Sequence, residues 1–172
     1  MNERIFFSDQ LRQELLDRLP SQRKTQRVAL SSLVAAMLEA RSANTAVLSA
    51  VLSAALPRDA ARSDMRLQWV SRFLSNPRVK PWEVMAPFSL EAIENARENG
   101  EPLTVMIDQS KVGDGLETLM LALRFSDRAL PLLWLVKQTK RTLGFTEQKP
   151  LLDALAPLIP DGTEVRLMGD RF

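Results

Sequence analysis

Leu103-Thr104-Val105-Met106-Ile107-Asp108 is a nearly continuous apolar run that ends in an acid. Such continuity reads as a strand buried on both faces. Downstream, Glu164-Val165-Arg166-Leu167-Met168-Gly169-Asp170 is a second extended segment tipped by an aspartate. Two further strands lie between them, Leu116 to Arg124 and Ala129 to Lys137, on either side of a turn at Asp127-Arg128. They read as an antiparallel hairpin. Gln148 to Leu158 reads as a helix with Leu151, Leu152, Leu155 and Leu158 on one face, and Asp161-Gly162 turns the chain into the last strand. The expected order is β-β-β-α-β, with Asp108 and Asp170 at the ends of its first and last strands.

The residues before this unit have a different character. Asn99-Gly100-Glu101-Pro102 is a turn signal, and residues 1–99 read as helices. Gln10 to Leu19 is a short helix ended by Pro20. Ser21 is the expected cap of a longer helix that starts at Gln22 and sets Leu30, Leu33, Val34, Met37 and Leu38 on one face. Thr45 to Leu56 is a small-residue helix ended by Pro57. Ser63 to Leu74 places Leu67, Val70, Phe73 and Leu74 on one side, with Arg62, Arg66 and Arg72 mostly off it. A rigid basic connector, Asn76-Pro77-Arg78-Val79-Lys80-Pro81, leads to a last helix, about Phe88 to Glu98, started by Pro87. The fold class expected is α/β, α+β overall, with a helical region over 1–99 and a sheet domain over 101–172.

Composition narrows the chemistry. The 172 residues contain no Cys and no His, which excludes disulfides, thiolate nucleophiles, Ser-His-Asp triads and Cys/His zinc sites. Any metal must be held by oxygen ligands, which suits hard cations such as Mg²⁺. No uncharged run approaches the roughly 18 apolar residues of a membrane span. Met1 to Leu11 carries Glu3, Arg4 and Asp9 and has no signal-peptide core, so a cytoplasmic location is expected. The net charge of +2 is unevenly spread. Between Arg12 and Lys80, 12 Lys and Arg stand against 5 Asp and Glu, a net of +7. Over residues 81–100 the net is −3, and over 101–172 it is −1. A basic helical half fits phosphate contact, or equally a solvated arginine-rich surface. Arg23, Lys24 and Arg27 lie in the opening turns of their helix, the end where the dipole disfavours cations.

Two strand-terminal aspartates acquire chemistry if their strands are neighbours. Carboxylates a few Å apart repel unless a cation lies between them, and divalent ions held there activate water and stabilise a leaving oxygen at a phosphodiester. Judged singly, an Asp that ends a strand is more often a turn residue. Trp69, Trp82 and Trp134 are candidates for stacking on bases, although Trp134 lies within an apolar strand and reads as core. Lys137, Lys140 and Arg141 form a small basic cluster after the third strand, readable as a DNA backbone contact or as an exposed loop. Gly113 and Gly115 do not make a phosphate-binding loop, because no Gly-Lys-Ser/Thr follows.

Several stretches together resemble the DDE transposases of the IS-four insertion-sequence group. Val105-Met106-Ile107-Asp108-Gln109-Ser110 is similar to their first-Asp block, and Val165-Arg166-Leu167-Met168-Gly169-Asp170-Arg171-Phe172 to their second. Arg23 to Arg41 resembles their first DNA-contacting helix, and Arg72-Phe73-Leu74-Ser75-Asn76-Pro77-Arg78-Val79 the block before the catalytic domain. The resemblance runs from about residue 20 to the end. It implies an incomplete ribonuclease-H-like domain in which Asp108 and Asp170 are catalytic and bind Mg²⁺ or Mn²⁺. It implies double-stranded transposon-end DNA as partner, contacted by Arg23, Lys24, Arg27, Arg66, Arg72, Arg78 and Lys80. A homodimer and a nucleoid-associated location are further expectations.

The family's third carboxylate, a Glu in a Tyr-Arg-Glu-Lys-type motif, has no counterpart here, and Glu117 near the first turn is a poor substitute. A truncated reading frame that is inactive alone is therefore expected, with exposed sheet surface and low solubility. Two other readings stand beside it. One is a non-catalytic DNA-binding or dimerising remnant that inhibits a full-length transposase. The other is an unrelated α/β module in which Asp108 and Asp170 lie far apart.

Overall fold

The computed structural model describes residues 3–52, 63–98 and 100–169. The chain divides into two compact units, Met1–Lys80 and Pro81–Phe172. The division falls ahead of the expected boundary at Asn99-Gly100, because the helix before that turn packs with the sheet.

The first unit is helical: α1 (Glu3–Arg18), α2 (Lys24–Ala40), α3 (Thr45–Val51) and α4 (Ser63–Leu74). The end expected for the third helix, Pro57, lies outside the described residues. Arg23 rather than Ser21 precedes the first turn of α2, and its backbone N–H donates to the Gln26 side chain at 3.0 Å. Asn44 caps α3, its Oδ1 accepting from the Ala46 N–H at 2.9 Å.

The buried stripe differs from the apolar pattern. Leu33, Ala36, Leu48, Leu52 and Val70 form the core, with Trp69 and Phe73 packed against it. Met37, Leu38, Leu67 and Leu74 are exposed. Helix α2 meets its neighbours along Ser32, Leu33 and Ala36, where small side chains permit close approach. On α4 the face that wins carries the two aromatics, whose stacked rings lie 6.1 Å apart. Their larger apolar area outweighs two leucines.

The second unit opens with α5 (Pro81–Arg97). Pro81 takes the first helical position, where a missing N–H costs nothing. Pro87, expected to start this helix, lies inside it. The lost hydrogen bond costs on the order of 3 kcal/mol. Burial of Ile93 in the sheet core, with Trp82, Ala92 and Ala96 packed against that core, offsets it. Gly100, at a φ of 71°, then turns the chain into the sheet.

Strands β1 (Leu103–Gly113), β2 (Leu116–Phe125) and β3 (Arg128–Gln138) precede α6 (Phe145–Leu155), a 3₁₀ turn at Ala156–Leu158 and β4 (Val165–Gly169). The β-β-β-α-β order is as expected. The sheet runs β3-β2-β1-β4. Strand β1 is antiparallel to β2 and parallel to β4, so the first and last strands are hydrogen-bonded neighbours. Alternation along β1 buries Leu103, Val105 and Ile107, which join Leu119, Leu121 and Leu123 of β2. Ile93 from α5 and Leu151 and Leu155 from α6 complete that core. The alternate set is more open: Met106 and Met120 are half-buried, while Asp108, Ser110, Trp134, Val136 and Met168 are exposed. Trp134, read as core from its apolar strand, therefore lies at the surface.

The β1–β4 ladder ends on a tight contact. Ile107 is paired with Gly169. A Cβ at residue 169 would lie 2.8 Å from Ile107 Cγ2, closer than side chains tolerate. Gly169→Ala is expected to destabilise the sheet unit by roughly 1–3 kcal/mol, as overpacking does. In an Ile107→Ala background the same change is expected to cost almost nothing. Denaturant unfolding of the four proteins checks this, and equal costs in both backgrounds would refute the contact.

Candidate active site

Asp108 lies on β1 one residue past the Ile107–Gly169 pair, on the open set of side chains. Its cross-strand partner is Met120, whose own partner on β3 is Trp134. Residues directly opposite share a face, so Asp108 stands beside an apolar strip rather than among charges. Its Oδ2 accepts a hydrogen bond from Ser110 Oγ at 2.8 Å. A hydroxyl two residues away on a strand is on the same side, and that spacing is the signal by which Ser110 could have been singled out.

The second expected site residue, Asp170, lies outside the described residues. What is described is the strand that leads to it, parallel to β1 and in register up to Gly169. Glu117, the poor substitute for a third acid, is paired with Lys111 and hydrogen-bonded to Gln109. Gln109 and Lys111 alternate with Asp108 and Ser110, so Glu117 is on the opposite face of the sheet from Asp108. Among the described residues no three Asp or Glu side chains converge as a metal cage.

Behind Asp108, Gln109 ties the strand to the segment before α6. Its Oε1 accepts the Leu143 N–H at 2.8 Å, and its Nε2 donates to Glu117 Oε2 at 3.2 Å. Gln148 Nε2 donates to the Leu143 carbonyl at 3.3 Å, so both polar groups of that residue's backbone are engaged. Glu147 begins α6 by accepting the Gly144 N–H at 3.1 Å and Lys137 Nζ at 2.6 Å. The hydrogen bond from Lys137 holds the Glu147 carboxyl below its ordinary pKa; burial opposes it, and the lysine's charge and the local backbone N–H groups add to the lowering.

In the helical unit the seven basic residues expected to contact DNA separate into two kinds. Arg23, Lys24, Arg72, Arg78 and Lys80 are exposed. Arg27 and Arg66 are half-buried braces. Arg27 Nη1 donates to the Leu16 carbonyl of α1 at 3.1 Å, and Arg66 Nε to the Ser49 carbonyl of α3 at 2.6 Å. Gln26, which sequence reading passed over, donates to the Arg78 carbonyl at 3.2 Å while accepting the Arg23 N–H, and so brings Arg23 and Arg78 onto one surface. Of the tryptophans, Trp69 stacks on Phe73 and Trp82 packs against the sheet core, which leaves Trp134 the most exposed side chain of the three.

Comparison with protein-family models, with curated proteins and with solved structures returns no match. Among the described residues no helix is long and apolar enough to cross a membrane.

Two outcomes follow from the braces and the cap. Arg27→Ala and Arg66→Ala are each expected to lower the stability of the helical unit by about 1.5–3 kcal/mol, the range for hydrogen bonds made by charged groups. Arg23→Ala and Lys24→Ala are expected to leave melting unchanged, which thermal denaturation checks. Because the folded-state pKa of Glu147 is depressed, its contribution to stability is present above the unfolded value and lost as pH falls from about 4. Glu147→Gln is expected to flatten that acid limb of a stability–pH curve, and a superimposable limb would contradict the pairing.

Proposed function

We propose that the chain carries the DNA-binding region and part of the catalytic domain of a metal-dependent DNA transposase of the IS-four insertion-sequence kind. One observation carries the reading: the strand bearing Asp108 is the parallel, in-register neighbour of the strand leading to Asp170. Strand order β3-β2-β1-β4 with α6 before the last strand fits a ribonuclease-H-like arrangement. The exposed cations of the helical unit support contact with duplex DNA.

The donor chemistry suits a hard cation. Asp108 offers an exposed carboxylate on the open face, steadied by Ser110. Asp108 and Asp170 are the residues that would hold Mg²⁺ or Mn²⁺. Bound there, the ion supplies an activated water and charge stabilisation at a phosphodiester. Ser110 steadies the Asp108 carboxylate through its hydroxyl, and Met120 flanks it on the neighbouring strand. Arg23, Lys24, Arg72, Arg78 and Lys80 hold the DNA by its phosphates, and Arg27 and Arg66 keep the helices that present them in place.

The placement of Glu117 on the far face favours a second reading, in which this chain binds DNA without cleaving it and interferes with a complete transposase. A Mn²⁺ titration followed by electron paramagnetic resonance separates the two. The first reading expects a bound ion whose affinity falls at least tenfold in Asp108→Asn and in Asp170→Asn. No bound ion leaves only the DNA-binding reading. Affinity for duplex DNA is expected to fall linearly on a log–log plot against salt. Negligible affinity at low salt would overturn both.

A further inference from the structure

The turn between β1 and β2 and the segment after β3 meet at one end of the sheet. The Thr139 N–H donates to the Gly115 carbonyl at 2.7 Å. Around this contact is an open hollow of about 600 Å³, lined by Lys111, Asp114, Gly115, Glu117, Thr139 and Lys140. Arg141 follows at once, its N–H bonded to Thr139 Oγ1 at 3.1 Å.

Two lysines of the sheet unit outside the hollow are ion-paired. Lys137 is neutralised by Glu147 at 2.6 Å, and Lys149 by Asp153 at 2.5 Å. Lys111, Lys140 and Arg141 are exposed and have no acid within ion-pair distance among the described residues. Of the two acids in the hollow, Glu117 is engaged by the Gln109 amide. Its carboxylate and that of Asp114 are the two opposing charges, and Lys111, Lys140 and Arg141 outnumber them. The backbone beneath the cations is also fixed. Gln109 and Gln148 grip residue 143 from both sides, so the segment 139–144 is held to β1 rather than left to sample many conformations. Cations on a pre-ordered backbone lose less entropy when they take up an anion.

We propose that Lys111, Lys140 and Arg141 form a phosphate-contacting surface of the sheet unit, which grips the backbone of a DNA strand at the end of β1, about three residues along from Asp108 and on the other face of the sheet. It rests on the DNA reading above and extends it to residues outside the basic helical half. Lys137, which belongs to the same basic cluster in sequence, is not part of it, because Glu147 occupies its ammonium. Gln109 is the positioning residue: it touches no phosphate and fixes the segment that does.

The full chain is tested with a fluorescein-labelled 20-base-pair duplex, binding being read by anisotropy across a salt series. Lys111→Glu/Lys140→Glu is expected to weaken binding at least tenfold. Lys111→Ala/Lys140→Ala is expected to reduce the salt slope by about 2, at roughly 0.9 per phosphate contact. Arg128→Glu/Lys149→Glu, the same charge change elsewhere on this unit, is expected to weaken binding less than threefold. Asp114→Asn removes one of the two opposing acids and is expected to tighten binding, a gain that misfolding cannot imitate. The amide signals of Gly115 and Thr139 are expected to shift on DNA addition. Equal losses in the two Glu double variants, or unaltered affinity in Asp114→Asn, would overturn the proposal, as would equal competition by polyglutamate of matched charge, which would indicate an acidic protein partner. Manganese binding at Asp108 is read separately, so this surface and the metal site fail independently.

Discussion

The close approach of Ile107 to residue 169 is the constraint on which the sheet unit depends. Strand β4 is short and exposed along its length, and it contributes little to the core by its own side chains. It is held by backbone hydrogen bonds to β1 and by a contact that only glycine permits at its end. Parallel pairing needs a long crossover, and α6 supplies it while burying Leu151 and Leu155 on the way. Register is therefore set at two points, by the crossover and by the glycine. A one-residue slip would put a side chain where Ile107 lies and reverse the faces of the strand.

Much of this was legible because strand periodicity is simple. The strand at Leu103–Ile107, the hairpin around Asp127-Arg128 and the leucine face of α6 each appear in the structure where the pattern puts them, although β1 buries one face and not the two that its apolar continuity suggested. Helix faces were read less well. On α2 and α4 the sequence offers more apolar residues than a stripe can bury, and periodicity does not choose among them. Contact with neighbours does: Ser32 and Ala36 are buried because they are small, and Leu38 is left out because it is not needed. Pro87 was misread for a related reason. A proline is a local signal for a helix start, and a favourable apolar face around it carried the helix through.

At the site, residue type pointed to Asp108 but not to what surrounds it. Gln109, Gln26 and Glu147 act through long-range hydrogen bonds whose partners are 34, 52 and 10 residues away. Such pairings leave no periodic trace. Conversely, Arg27 and Arg66 looked like surface cations because a side chain's charge is visible in sequence and its carbonyl partner is not. Their burial shows that a basic segment mixes two populations, one that braces the fold and one whose side chains are exposed.

The aromatic distribution has a practical consequence. The chain has three tryptophans and no tyrosine. Trp69 belongs to the helical unit, where it stacks on Phe73, whereas Trp82 and Trp134 belong to the sheet unit. Replacing the latter two by phenylalanine would leave a single intrinsic fluorophore, so that emission would report the loosening of one half of the molecule while the other stays optically silent.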